Sequence, residues 1–321
     1  MPTYNSADFV GQAIRSVLAQ SLEQIELIVV DDGSDDDTTE IVSAFASEDR
    51  RIRLESLGSN SGPASARNRG FALARAPWIA VLDSDDRYAP DRLQKLTEIA
   101  EQVGADVISD NLLQFVTDEP GSGTLYLQDC SRGWIDLDTY LEQASLFGGG
   151  RDFGYLKPLF RKERLSAIEL SYNEGLRIAE DDDLILRGLI AGLNYWFEPI
   201  DTYFYRRHSS STSHRLSPAN AAAMCEASAD LLEGNAGSPV CAKLRKRHRA
   251  IVRGWAFTSL VEAINQKNWI DCARIAWAHP TAIFLLHMPL RAALARTMGS
   301  RIGARKSPHE YGATRNASGG A

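Results

Sequence analysis

Asp83-Ser84-Asp85-Asp86 closes the apolar run Trp78-Ile79-Ala80-Val81-Leu82. The run reads as a buried strand, and sheets built from alternating strands and helices bind ligands beyond the carboxyl ends of their strands. Asp83 and Asp85, one residue apart, leave such a strand on one side, where both can face one divalent cation. A hard cation held there can hold a diphosphate that the chain's own acidity would otherwise repel.

Other segments carry chemistry of a compatible kind. Pro2-Thr3-Tyr4-Asn5 reads as a strand end turning into a helix, with the Tyr4 ring able to stack on a planar base; a plain turn capped by Asn5 explains it equally. Asp31-Asp32-Gly33-Ser34 follows a second apolar strand. Its carboxylates suit a base imide N–H or a ribose hydroxyl, or simply the turn itself. Asp35-Asp36-Asp37 reads as solvated turn surface. Gly62-Pro63-Ala64-Ser65-Ala66-Arg67-Asn68-Arg69-Gly70 puts small residues at a helix start and a guanidinium within it, which fits a nucleotide or diphosphate, or a tightly packed helix. Glu180-Asp181-Asp182-Asp183 opens a helix. Acidic residues favour that position on any helix, and a carboxylate there can also serve as a general base for an attacking hydroxyl. In Tyr205-Arg206-Arg207-His208, His208 is a candidate metal ligand and Arg206 a candidate diphosphate contact, although a lone histidine in a loop is more often just exposed.

Alternating elements must position these residues. Helical spacing runs through Val10, Ile14, Val17 and Leu18. Strands are predicted at Glu26–Val30, Arg51–Glu55, Trp78–Leu82 and Ala105–Ser109, with helices over Thr38–Ala46, from Pro63 to about Arg75, and after Pro90. This pattern implies a mostly parallel sheet flanked by helices, an α/β fold of Rossmann-like kind. Residues 111–215 are mixed, with strands predicted near Thr124–Leu127, Leu156–Phe160, Tyr195–Glu198 and Thr202–Tyr205, and helices near Asp136–Ala144 and Asp181–Ala191. Residues 216–306 read as a helical extension. The tail 307–321, rich in Gly, Ser, Ala and Asn, reads as disordered.

Charge separates these parts. Residues 1–242 hold 21 Lys and Arg against 39 Asp and Glu, net −18, whereas residues 243–306 hold 13 against 2, net +11. The extension interleaves cations such as Lys243, Arg245, Lys246, Arg247, Arg249 and Arg253 with aromatics such as Trp255, Phe257, Trp269 and Trp277. Such helices suit an anionic membrane surface, or packing on the acidic body; both readings stand at this point. The acidic body argues against nucleic acid. No stretch reaches the roughly 18 uncharged apolar residues of a spanning helix. Cys130, Cys225, Cys241 and Cys272 have no metal-ligand spacing, and with no signal peptide read at the start they suggest free thiols in a reducing cytosol.

Order and spacing together are more specific than any one segment. With Pro-Thr-Tyr-Asn at residues 2–5, Val-Asp-Asp-Gly-Ser at 30–34, Gly-Pro-Ala-Ser-Ala-Arg-Asn-Arg-Gly at 62–70, Leu-Asp-Ser-Asp-Asp at 82–86 and Ala-Glu-Asp-Asp-Asp-Leu at 179–184, the chain resembles the family 2 glycosyltransferases over residues 1–215. Within that family it looks most like bacterial exopolysaccharide enzymes of the succinoglycan type. The resemblance implies the GT-A fold and inverting transfer. Thr3, Tyr4 and Asp32 would hold the uracil end of a UDP-sugar, with Arg67 nearby. Asp83 would contact ribose or metal, Asp85 would bind Mg²⁺ or Mn²⁺, Asp181 would be the base and Glu180 would contact acceptor or sugar. The acceptor would be a lipid-linked oligosaccharide on a polyprenyl diphosphate, met through peripheral membrane association at the inner face of the cytoplasmic membrane. Family members usually carry an apolar strand before Pro-Thr-Tyr-Asn. Here Met1 directly precedes Pro2, so the start is expected to lie upstream. The rivals are a nucleotidyltransferase, whose glycine-rich cationic loop Pro2–Asn5 lacks, and a non-catalytic nucleotide-sugar-binding scaffold.

Overall fold

Residues 10, 13, 14 and 17 form the buried face of α1 (Val10–Leu18), the spacing of one side of a helix. Strand β2 (Leu27–Asp31) buries all five of its residues, as a strand covered on both faces does. It pairs in parallel with β1 (Pro2–Thr3) and β3 (Ile52–Ser56), Thr3 lying opposite Asp31 and Leu27 opposite Ile52. Helices α2 (Thr38–Glu48) and α3 (Pro63–Leu73) complete the alternation. Pro63 opens α3, and Ala64, Ala66 and Arg67 are its buried residues. At Gly70 an added Cβ would lie 3.7 Å from Val30 Cγ2, so small residues seat this helix closely on β2 and carry Arg67 inward.

The computed structural model describes residues 1–116, 123–143, 152–208 and 216–286. The elements that follow are β4 (Trp78–Ala80), β5 (Arg87–Tyr88), α4 (Arg92–Val103), β6 (Val107–Ser109), β7 (Leu112–Phe115), β8 (Thr124–Leu125), β9 (Gly133–Trp134), α5 (Leu137–Gln143), β10 (Leu159–Arg161), α6 (Lys162–Ala167), α7 (Glu180–Ile190), β11 (Tyr195–Phe197) and β12 (Tyr203–Arg206). A second sheet has the order β4-β10-β6-β11-β9, and a third β5-β12-β7-β8. Strand β10 enters antiparallel between β4 and β6, Leu159 facing Ala80 on one side and Ile108 on the other. That register lays the residues just before β10 beside the residues just after β4. Strand β12 runs antiparallel to β5, Tyr203 opposite Tyr88, so the chain after β12 returns alongside residues 83–86.

The β1-β2-β3 sheet and β4 are not paired with each other. Between them lies an apolar cavity of about 640 Å³ lined by Met1, Leu27, Ile28, Phe71, Ile79 and Val81 among others.

The chain divides into two compact units, Met1–Trp255 and Ala256–Ala321. The first therefore continues past the boundary expected at residue 215, taking in α8 (Pro218–Gly234) and the first part of α9 (Cys241–Asn265). The reason is the inward side of α9. Lys243 pairs with Asp138 and Glu142, Arg247 with Asp182, and Leu244 and Ile251 are buried. Arg245, Lys246, Arg249 and Arg253 are exposed. In the second unit, α10 (Trp269–Ala278) exposes Trp269, Ile270 and Trp277, and α11 (Pro280–Ile283) follows. No described helix is long and apolar enough to cross a membrane. The tail 307–321 lies outside the described residues.

Deep in the first unit, Arg92 and Asp110 form a bidentate ion pair at 3.0 and 2.7 Å with both side chains fully buried. The guanidinium lies over the rings of Tyr88 and Tyr203, and Thr202 Oγ1 donates to Asp110. Removing one member strands the other as a buried charge. Arg92→Met is expected to cost about 3–5 kcal/mol in chemical denaturation, and Arg92→Met/Asp110→Leu less than the single change. Equal or greater cost in the double variant would count against this pair's role.

Candidate active site

The carboxyl ends of β1, β2 and β4 converge on one region, and hydrogen bonds fix its walls. Ser6 Oγ lies 2.8 Å from Ser84 Oγ, tying the loop after β1 to the acidic segment after β4. Asn5 accepts from Asp35 N and its own N–H donates to Ser34 Oγ, so its side chain secures the neighbouring turn instead of capping α1. Asp31 accepts from the N–H groups of Gly33 and Ser34 and from Ser34 Oγ. Gly33 is in the left-handed region (φ 77°), and an added Cβ would sit 3.0 Å from the Ser59 backbone, so any other residue would be strained and tightly packed there. Asp36 is not free turn surface. It accepts from Ala7 N, Thr38 N and Thr38 Oγ1, and these bonds hold its carboxyl below the usual range against the opposing effect of burial.

Thr3, Tyr4 and Asp32 come together at the ends of β1 and β2. Thr3 is buried, and its Oγ1 has no partner in the structure. Tyr4 is 45% exposed, so its ring is available for a base to stack on. Asp32 is buried and accepts from Ser61 N at 2.7 Å and Gly62 N at 2.8 Å, so it also fixes the entry to α3.

Arg67 makes its close polar contacts with carboxylates. Its NH2 donates to Asp83 Oδ1 at 2.6 Å and its NH1 to Glu180 Oε1 at 2.5 Å, with Asp181 Oδ1 3.7 Å away. Its guanidinium carbon lies 5.4 Å from the centre of the Tyr172 ring. Lys157, two residues before β10, contributes a second cation. Its Nζ is 2.6 Å from Asp181 Oδ2 and 3.0 Å from Asp83 Oδ2. Asp83, Glu180 and Asp181 thus share two buried cations. Burial works against every charge in this group. The carboxylates outweigh that effect and hold Arg67 and Lys157 well above their ordinary values, and Lys157 and Arg67 in turn hold Asp83 below its own. Glu180 is raised by burial, which Arg67 offsets only in part.

The start of α7 sorts its four acidic residues. Ala179 sits in the left-handed region (φ 65°), an uncommon conformation for a residue with a Cβ, and from it Glu180 and Asp181 turn into the cluster. Asp182 instead accepts from Tyr140 Oη at 2.7 Å and pairs with Arg247, while Asp183 pairs with Arg187 of its own helix.

Asp85 lies on the other side of Asp83. Its Oδ2 is 2.8 Å from His208 Nε2, and both side chains are partly exposed. Burial, and then the Asp83 charge, raise the Asp85 carboxyl. Two ligands at right angles on a Mg²⁺-sized ion with bonds of about 2.1 Å stand about 3 Å apart, so this carboxylate and imidazole match one edge of such a site. Asp83, expected as a further ligand, is turned to Arg67 and Lys157. Among the described residues no group of three or more His, Cys, Asp or Glu is placed to hold a metal ion. Asp86 is buried and accepts from Tyr203 Oη and Arg206 N, and burial together with the Asp85 and Asp83 charges raises it strongly. Arg206 is also structural. It donates to Asp85 O and Gln12 Oε1 between the rings of Phe9 and Phe115.

Lys157 is the residue that sequence reasoning misses. Its signal is a cation inside the apolar run Tyr155-Leu156-Lys157-Pro158-Leu159-Phe160, where a charge requires a buried partner.

A family profile described as Glycosyl transferase family 2 matches residues 1–168. The succinoglycan biosynthesis protein ExoO of Rhizobium meliloti is 36% identical over 295 residues, 91% of this chain and 84% of that protein. ExoU of the same organism is 32% identical over 286 residues, 87% and 82% of the two. Among solved structures, S. aureus TarS 1-349 in complex with UDP-GlcNAc superposes with a TM-score of 0.61 at 16% identity, covering 88% of this chain and 90% of that one. The mannosyltransferase PcManGT from Pyrobaculum calidifontis, in complex with GDP-Man and Mn²⁺, gives 0.55 at 18% identity over 91% and 79%. These likenesses show a common GT-A fold.

Arg67→Met would leave three buried carboxylates against one ammonium. The loss in stability is expected to be about 3 kcal/mol at pH 7. Asp83, depressed by its cations, contributes stability that is complete above the ordinary carboxylate range and is lost as pH falls through its folded value. The variant lacks part of that contribution, so its deficit against wild type should shrink as pH falls below about 4 towards 2. Denaturant titrations at pH 7 and at about pH 2.5 check this, and a deficit independent of pH would contradict it.

Proposed function

The chain belongs to glycosyltransferase family 2, and from that premise we propose that it moves a sugar, glucose first among the candidates, from a UDP-sugar to a lipid-linked oligosaccharide on a polyprenyl diphosphate, in bacterial exopolysaccharide biosynthesis. The observation that carries this reading is the cluster in which the donor-side carboxylate Asp83 and the α7 carboxylates Glu180 and Asp181 share Arg67 and Lys157. It supports a reading in which the donor contact and the base belong to one constellation. The UDP-GlcNAc complex of the TarS neighbour supports a nucleotide-sugar donor.

In the mechanism, Thr3, Tyr4 and Asp32 hold the uracil, and Asp83 contacts the ribose. Asp85 and His208 would hold Mg²⁺ or Mn²⁺, which when bound neutralises the charge of the departing diphosphate. Asp181 accepts the proton of the acceptor hydroxyl on one face of the sugar, and Glu180 contacts the acceptor or sugar. The new bond forms at the anomeric carbon as the bond to the diphosphate oxygen breaks on the opposite face, so configuration inverts in one displacement.

Membrane association at the inner face of the cytoplasmic membrane is part of the same reading. The exposed cations Arg245, Lys246, Arg249 and Arg253 on α9 suit anionic headgroups, and the exposed Trp269, Ile270 and Trp277 of α10 suit the interface.

UDP titrated calorimetrically into wild type should bind more tightly with Mn²⁺ than without, and Asp85→Ala should abolish the difference. Asp181→Asn should keep UDP binding and lose transfer by at least 100-fold, and wild-type turnover would remove it from the base role. The triple change Arg245→Glu/Lys246→Glu/Arg249→Glu should release the protein from sedimenting anionic vesicles. Unchanged sedimentation would sink the membrane reading.

A further inference from the structure

Lys157 occupies a place that stability alone does not explain. Its side chain is only 7% exposed, and its ammonium lies within 3.0 Å of two carboxylates from different parts of the fold. A buried ion pair contributes little over well-packed apolar residues in place of both partners, so the core alone gives no reason for charges here. The lysine is also aimed from behind. Its backbone carbonyl accepts from Arg92 NH2 at 2.6 Å, and Arg92 is itself locked by Asp110 and two tyrosine rings. The antiparallel register of β10 on β4 sets it beside the start of the acidic segment. An ammonium is a compact point charge, able to meet both carboxylates at once from a stem fixed at its base. Arg67 also touches Asp83, but its other close contact is Glu180, and it stands 3.7 Å from Asp181. Lys157 is therefore the close link between Asp83 and Asp181.

We propose that Lys157 is a positioning residue of the transfer reaction, its ammonium setting the distance between the carboxylate that contacts the donor, Asp83, and the carboxylate that deprotonates the acceptor, Asp181. The proposal rests on the reading of Asp181 as the base. Without the ammonium, Asp83 keeps its contact with Arg67, while Asp181, repelled by Asp83, moves away from it. Donor affinity, which depends mainly on the nucleotide contacts and the metal, is left nearly intact. The loss falls on the chemical step, where a displacement of about 1 Å costs about 100-fold.

The test compares wild type, Lys157→Met, Lys157→Arg and Asp181→Asn as full chains. UDP affinity is measured by calorimetry with Mn²⁺. Turnover is measured as UDP release from UDP-glucose, UDP-galactose and UDP-GlcNAc, with bacterial membranes as the acceptor source, between pH 5 and 9. Lys157→Met is expected to bind UDP within threefold of wild type and to lose at least 30-fold in kcat. Lys157→Arg, which keeps the charge in a bulkier planar group, is expected to leave kcat threefold to tenfold below wild type. Wild-type kcat in Lys157→Met overturns the proposal, as does a loss accounted for by weaker UDP binding. If Lys157→Met does not fold, Lys157→Arg decides, and wild-type kcat there overturns the proposal. Wild-type turnover by Asp181→Asn, or turnover of none of the three donors by wild type, removes the base or transfer reading and this proposal with it. Loss in Asp181→Asn with no loss in Lys157→Met leaves the base reading standing and overturns the proposal alone.

Discussion

Burying charge is the constraint around which this fold is organised. Asp83, Glu180 and Asp181 are carboxylates turned inward, and each would be costly to desolvate alone. Arg67 from α3 and Lys157 from the approach to β10 make that burial tolerable. The five groups come from four segments far apart in sequence, so the cluster exists only when β1-β2-β3, β4, β10 and α7 are all in place. The cluster and the tertiary fold therefore depend on the same contacts.

A second layer supports the first. Arg92 and Asp110 hold the backbone of Lys157, while Tyr203 and Arg206 of β12 hold the Asp85–Asp86 backbone and the Asp86 carboxyl. Tyr140 and Arg247 hold Asp182, one residue beyond Asp181. Arg247 belongs to α9, so part of the basic extension takes its place in the frame that orients the start of α7. Lys243 of that helix pairs with Asp138 and Glu142, while Arg245, Lys246, Arg249 and Arg253 stay in solvent.

The motifs at residues 2–5, 30–34, 62–70, 82–86 and 179–184 make the family and the α/β order legible in the sequence. Within them, residue type speaks more clearly than partner. Arg67 reads as a nucleotide contact because a guanidinium near a helix start suits phosphate, yet it meets two carboxylates, a consequence of α3 packing close on β2. Lys157 is hidden because its neighbours are set by the antiparallel register of a strand of only three residues. Strands as short as β5 and β9, two residues each, have no periodicity to read. On α9, positions 243, 247 and 251 and positions 245, 249 and 253 repeat with the same spacing, and only the acidic partners in the folded unit decide which side turns inward. The four acidic residues at the start of α7 look alike in sequence and are separated by the left-handed Ala179 and by four different partners.

The claim on which the rest turns is that Asp83 and Asp181 act as one unit through their shared cations. Residues that work as a unit give losses that do not multiply. The direct measurement is kcat for wild type, Asp83→Asn, Asp181→Asn and the double variant at saturating donor. The account predicts a double variant no more than a few-fold slower than the worse single one. A double loss equal to the product of the two single losses would mean that the carboxylates act independently, and would contradict it.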